Sequence, residues 1–164
     1  MLPFILKVLP TLAALAPKQC DVNPSEKLLY DYAISHAGLP YKWGGDDPIE
    51  GYDCSGFVLE LMKASNQVPM SIDLTANGLY NLYKDWSVKE PSFGVLAFYG
   101  TESRATHVSF CLNEYECIEA GGGGRSVDSA QAASRDNAYV RVRPVRYRKD
   151  LIGFRHPPYH WRKL

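Results

Sequence analysis

Hydrophobic spacing changes at Gly94, and that switch narrows the possible folds more than any other feature of the chain. Before it, apolar residues recur at helical intervals. After it, Val95 to Tyr99, His107 to Leu112, Cys117 to Ala120 and Tyr139 to Val145 form short apolar or alternating runs between turn residues. Helices first and strands afterwards predict an α+β domain, with N-terminal helices packed on a central antiparallel β-sheet. At 164 residues the chain suits one domain with an ordinary core.

The first helix opens at Asn23-Pro24-Ser25-Glu26, which supplies an N-cap, a proline at the first helical position and a glutamate at the third. It is expected to run to about Ala37, with Leu28, Leu29, Tyr32, Ala33 and His36 facing inward, and to stop at Gly38. The glycines, prolines and paired acids from Leu39 to Pro48 cannot continue a helix. Helical spacing returns with Phe57, Val58, Leu61 and Met62, so a second helix follows Gly51-Tyr52-Asp53-Cys54-Ser55-Gly56 and reaches about Ala64. Asp73 or Thr75 caps a third through Leu79, Leu82 and Tyr83, which Gly78 weakens.

Cys54 thereby falls at a helix N-terminus. Unpaired N–H groups and the positive end of the helix dipole favour an anion there, and a thiolate is one. This makes Cys54 the candidate nucleophile. Such chemistry needs a base within hydrogen-bond reach, usually histidine, and often a third group that orients it. Of the four histidines, His156 and His160 lie in a Pro-rich tail, and His36 on the inner face of the first helix reads as a satisfied core residue. His107 begins a strand.

If His107 to Leu112 and Cys117 to Ala120 form a hairpin turning at Glu114, Cys111 opposes Cys117 and Ser109 opposes Glu119. His107, Ser109, Cys111, Cys117 and Glu119 then share one face. His107 and Glu119 become diagonal neighbours, roughly 7 Å apart at the backbone, and a carboxylate so placed can fix the imidazole tautomer. The same register sets Cys111 and Cys117 across from each other as two buried thiols or a cross-strand disulfide, and the former is favoured because nothing else demands oxidation.

Tyr41-x-Trp43-Gly44-Gly45, Asp53-Cys54-Ser55-Gly56-Phe57-Val58, His107-Val108 and a polar residue twelve positions beyond the histidine occur in that order. In these motifs the chain resembles the NlpC-type papain-like cysteine peptidases, which are cell-wall hydrolases, over roughly Ser25 to Arg155. The resemblance implies a papain-like (NlpC-type) core whose cysteine opens a helix packed on an antiparallel sheet carrying the histidine. Carried over by position, Cys54 is the nucleophile, His107 the base and then acid, and Glu119 the orienting member, where many relatives have histidine. It further suggests that Tyr41 lies over the thiol and that Asp53 and Ser55 hold a free amino end of the substrate. Trp43, Gly44 and Gly45 read as loop structure. The implied reaction is amide hydrolysis in a peptidoglycan stem peptide, typically between D-glutamate and a diamino acid, with no metal or cofactor. Alternatives are a papain-like acyltransferase or amidase on another substrate, or a structural component of a phage or envelope assembly with little activity.

The ends of the chain are read separately. After residue 140, eight basic residues face one acid. Arg141 and Arg143 alternate with valines, as a solvated strand face would, and no accompanying motif points to nucleic acid. The boundaries expected are an apolar arm over 1–22, the peptidase domain over 23–156 and a basic tail over 157–164. Met1 to Ala16 is too short for a membrane span. Ala14-Leu15-Ala16 has the form of a signal cleavage site, yet no basic region precedes it, so a secretory signal and a packing arm both stay open. Either the arm or the tail could meet a phage or envelope partner. The expected location is the bacterial envelope, the exterior or a phage particle. Neither the cysteine and histidine spacings nor Gly121-Gly122-Gly123-Gly124 match a zinc or phosphate-loop motif.

Overall fold

The computed structural model describes residues 23–161. Its elements run α1 (Pro24–Ser35), β1 (Asp46–Asp47), β2 (Gly51–Tyr52), α2 (Cys54–Ala64), α3 (Ala76–Leu82), β3 (Ser87–Val88), β4 (Leu96–Thr101), β5 (Arg104–Cys111), β6 (Glu116–Gly121), α4 (Ala130–Arg135), β7 (Tyr139–Pro144) and β8 (Leu151–Arg155). The expected order of helices followed by strands is present, with the two-residue strands β1, β2 and β3, helix α4 and strand β8 in addition. Strands β3 to β8 form one antiparallel sheet in the order β3-β8-β4-β5-β6-β7. The arm over 1–22, with Cys20, and the end of the basic tail lie outside the described residues.

Capping chemistry sets the helix starts. The Asn23 side chain accepts from the Ser25 N–H at 2.9 Å, with Pro24 at the first helical position. Thr75, rather than Asp73, caps α3 by accepting from the Gly78 N–H. Leu29, Ala33 and His36 face inward, and the His36 ring lies against Tyr32, Tyr52 and Phe57 while its Nδ1 meets the Tyr32 carbonyl. Leu28, expected inside, is 72% exposed, and Tyr32 reaches the surface with its hydroxyl on Glu60. The reason is that α1 packs mainly on one neighbour, α2, which covers only the stripe through 29, 33 and 36.

The sheet has two apolar faces. Leu96, Phe98, Val108, Phe110, Ile118, Ala120 and Val140 belong to the core beneath the helices, and Val95, Ala97, Tyr99, Cys111, Cys117 and Phe154 to a second cluster. The β5–β6 ladder consists of Phe110–Ile118 and Cys111–Cys117, the register expected from the hairpin. Cys111 and Cys117 are buried free thiols. The next rung, Ser109–Glu119, is not a ladder pair, and there the His107–Glu119 side-chain contact links the two strands.

Arg141 and Arg143 are not the solvated face that their alternation suggested. They stand opposite Glu119 and Cys117 in the β6–β7 ladder and are half-buried, with their guanidinium groups over the rings of Tyr139 and Tyr147. Val142, on the same sheet face as the buried Val140, is nonetheless 41% exposed, because β7 is an edge strand. Three more of the described arginines after residue 140 are engaged within the domain: Arg146 pairs with Glu90, Arg148 with Asp150, and Arg155 lies over Tyr80. Past the boundary expected at 156, Tyr159 is buried and donates to the Gly94 carbonyl at 2.8 Å, so the packed unit continues at least that far.

One close approach holds the cysteine-bearing turn in place. A Cβ on Gly56 would lie 2.1 Å from the Gly45 carbonyl oxygen and 3.1 Å from Asp46 Cα, both backbone atoms with little room to retreat. Gly56→Ala is expected to destabilise the fold by about 1–3 kcal/mol in a denaturant titration, the range for overpacking. Gly124→Ala, where a Cβ meets nothing within 4 Å, provides the contrast and should be near neutral. Equal stability of the two variants would mean that the glycine contact is not a constraint.

Candidate active site

Asp53 organises the start of α2. Its Oδ1 accepts from the Gly56 N–H at 2.8 Å and the Ser55 hydroxyl at 2.9 Å, while Oδ2 accepts from the Gly44 N–H at 3.1 Å. One carboxylate thus caps the helix and fastens the Trp43-Gly44-Gly45 turn to it. The Asp53 N–H donates to the Gly45 carbonyl at 2.9 Å. Of the four N–H groups that a helix start leaves over, those of Asp53 and Gly56 are therefore taken. Those of Cys54 and Ser55 have no intrahelical acceptor. They stand beside the half-buried Cys54 thiol.

His107 lies in the same cleft, brought there by β5, against which α2 and α3 pack. Its Nε2 is 2.6 Å from Glu119 Oε2. With Nε2 engaged, Nδ1 is the ring nitrogen left for the thiol. Burial by itself would lower the His107 pKa, but hydrogen bonding and charge from Cys54 and Glu119 override it and raise the pKa to about 9. The imidazolium is therefore the form favoured when thiolate and carboxylate are both charged.

Glu119 is 1% exposed, an unusual place for a carboxylate. Burial disfavours its charge, yet His107, the Tyr147 hydroxyl and Arg143 together hold its pKa below the ordinary value. Tyr147 donates to both carboxylate oxygens, at 2.8 and 2.7 Å. Arg143 Nε stands 3.5 Å from Oε1, a charge contact without hydrogen-bond geometry. Space for the carboxylate comes from Gly121, where a Cβ would sit 2.5 Å from Oε1.

Cys54, His107, Tyr41, Asp53 and Ser55 all line one cleft of about 450 Å³, and Glu119 supports it from beneath. Tyr41 is buried, and its phenol is pushed upward in pKa by burial and then by the negative charge of Cys54 and Asp53, so it sits within their field. Sequence reasoning missed several members of the wall. Trp43, assigned to bland loop structure, lines the cleft, as do Asn77, Arg104, Arg125, Tyr147 and Arg148. An aromatic next to a motif tyrosine was the one available signal. The others arrive from distant turns that no local pattern connects.

Comparison with known proteins identifies the family. Murein DD-endopeptidase MepH of Escherichia coli is 30% identical over 139 residues, which cover 81% of this chain and 51% of that protein. Bifunctional muramidase/DL-endopeptidase CwlT of Bacillus subtilis is 34% identical over 126 residues, covering 74% of this chain and 33% of that one. The chain thus spans about half or less of the length of these curated relatives. A crystal structure of an NlpC/P60 family protein from Bacillus cereus superposes with a TM-score of 0.62 at 20% identity, over 82% of this chain and 40% of that one, a likeness of fold. The sequence model of the NlpC/P60 family matches residues 38–144, a span that begins just before Tyr41 and encloses Cys54, His107 and Glu119. With its papain-like core of helices on an antiparallel sheet, the chain belongs to the NlpC/P60 family.

Proposed function

We propose that this protein is a cysteine endopeptidase that hydrolyses an amide bond in peptidoglycan stem peptides, between D-glutamate and a diamino acid, at the bacterial envelope, outside the cell or from a phage particle. The observation that carries the reading is the convergence, in one cleft, of a helix-start cysteine and a histidine held at 2.6 Å by a buried glutamate.

In this reading the Cys54 thiolate attacks the scissile carbonyl, and a carbon–sulfur bond forms as the carbonyl oxygen takes up negative charge. The N–H groups of Cys54 and Ser55 receive that oxyanion. His107 passes its proton to the leaving amine, the carbon–nitrogen bond breaks, and the acyl group remains on sulfur. His107 then takes a proton from water, which attacks the thioester and releases the acid. Glu119 stays ionised throughout and orients the ring. Asp53 and Ser55, under Tyr41, hold a free amino end of the peptide.

Mass spectrometry of muropeptides after incubation of purified peptidoglycan with the protein tests the reaction and the bond together. Fragments ending in D-glutamate, with matching fragments that begin at the diamino acid, are expected. Intact muropeptides after prolonged incubation would rule the hydrolase out, and cleavage at another amide would replace the bond named here.

A further inference from the structure

The charges lining the cleft are unequal in how they are used. Asp53, the acid in its wall, already receives three neutral donors, and Arg148 pairs with Asp150 at 2.7 Å. Arg104 and Arg125 also line the cleft, and neither has a carboxylate within ion-pair distance among the described residues. They differ in support. The Arg125 guanidinium lies 5.5 Å from the centroid of the Trp43 ring, so its plane is held by an aromatic face. The turn carrying Trp43 is itself pinned to the Arg125 loop, since the Trp43 N–H donates to the Val127 carbonyl at 2.7 Å and the Val127 N–H to the Gly124 carbonyl at 3.0 Å. Val127 is buried.

We propose that Arg125, oriented by Trp43, binds a free carboxylate of the peptide in the cleft and thereby selects stem peptides that carry it over amidated ones. A planar guanidinium offers a carboxylate two parallel N–H donors, whereas a carboxamide presents one acceptor and a competing NH₂ donor. Arg125 is exposed, so it meets the ligand already hydrated and contributes through geometry more than through bare charge. This rests on the reading that a stem peptide is the substrate. Two carboxylates qualify chemically, the one left free on D-glutamate by its side-chain linkage and the second one of a diamino acid such as diaminopimelate.

The test separates binding from hydrolysis. Three synthetic stem peptides are titrated calorimetrically into the full chain carrying Cys54→Ala: one with all carboxylates free, one amidated on D-glutamate, and one amidated on the diamino acid. The free peptide is expected to bind about tenfold tighter than one of the two amides, which identifies the carboxylate concerned. Adding Arg125→Gln should bring that ratio close to one, while Arg104→Gln in the same background should leave it. The proposal is overturned by equal affinity for all three peptides, by no binding of any, by a preference that survives Arg125→Gln, or by equal loss with Arg104→Gln, which would make the effect diffuse electrostatics. Cleavage by the unmodified chain is read independently. Failure to cleave with the preference intact removes the hydrolase reading and leaves the site.

Discussion

Cys54→Ala is expected to lower release of new amino groups from purified peptidoglycan by on the order of 10⁴-fold or more, because in the proposed reaction removal of the covalent nucleophile leaves only binding and oxyanion stabilisation. The thermal unfolding midpoint should scarcely move. Cys54 occupies the first position of α2 and is half-buried, the cap is supplied by Asp53, and alanine is a better helix former than cysteine. The other described thiols cannot substitute. Burial pushes Cys111 upward in pKa and Cys117 to about 11, the latter also raised by the charge of Glu119, and both sit in the cluster on the second sheet face. Cys54→Ser provides a stricter control, since it keeps the shape and hydrogen bonding but replaces the thiol with a much weaker nucleophile. Retention of more than about 1% of activity in either variant would assign the chemistry elsewhere.

Much of the site was legible because its determinants are local. Asp53, Cys54 and Gly56 form a single helix start, and capping rules apply within four residues. His107 and Glu119 are twelve apart but lie on neighbouring strands, so alternation and one correct register placed them on a common face. Their contact is tighter than a ladder would give, since the ladder ends at Phe110 and the side chains close the gap. What escaped was whatever depends on a third element. Tyr147 lies 28 residues beyond Glu119, in a turn after β7, and nothing in its basic surroundings points to a carboxylate. Arg143 was read as solvated because alternation describes a face without saying what covers it, and Tyr147 covers this one. Leu28 fails for the converse reason: a helical stripe was counted as inner before its neighbours were known.

Glu119→Gln is the sharper test of how these parts cooperate. Glutamine keeps an acceptor beside His107 Nε2 and fits the space beside Gly121, but it carries no charge. A fall of about 10²-fold in kcat/KM near neutral pH is expected, within the range for loss of effective acid–base catalysis. The diagnostic lies in the pH profile. His107 has a pKa raised from 6.5 to about 9: burial lowers it, and Cys54 and Glu119 more than restore it. A step that needs the imidazolium therefore persists up to about pH 9 and declines above it, as a property of the coupled thiol–imidazole pair. Removing the Glu119 charge takes away one of the upward contributions. The alkaline limb then moves toward lower pH, and the variant loses more activity at pH 8 than at pH 6.

Stability follows the same sign. Protonated His107 stabilises the fold fully below pH 6.5, and the contribution is lost as pH rises through about 9. The lowered Glu119 carboxyl stabilises it above the ordinary carboxylate pKa, and this is lost as pH falls through the depressed value. Both dependences should flatten in Glu119→Gln. Tyr147→Phe removes one bifurcated hydrogen bond from the carboxylate but leaves the Glu119 charge beside the imidazole, so it should reduce kcat less and move the alkaline limb little. A Glu119→Gln profile that keeps its alkaline limb near pH 9 would show that the carboxylate holds the ring without tuning it, and the assignment of Glu119 would shrink from electrostatic partner to steric support.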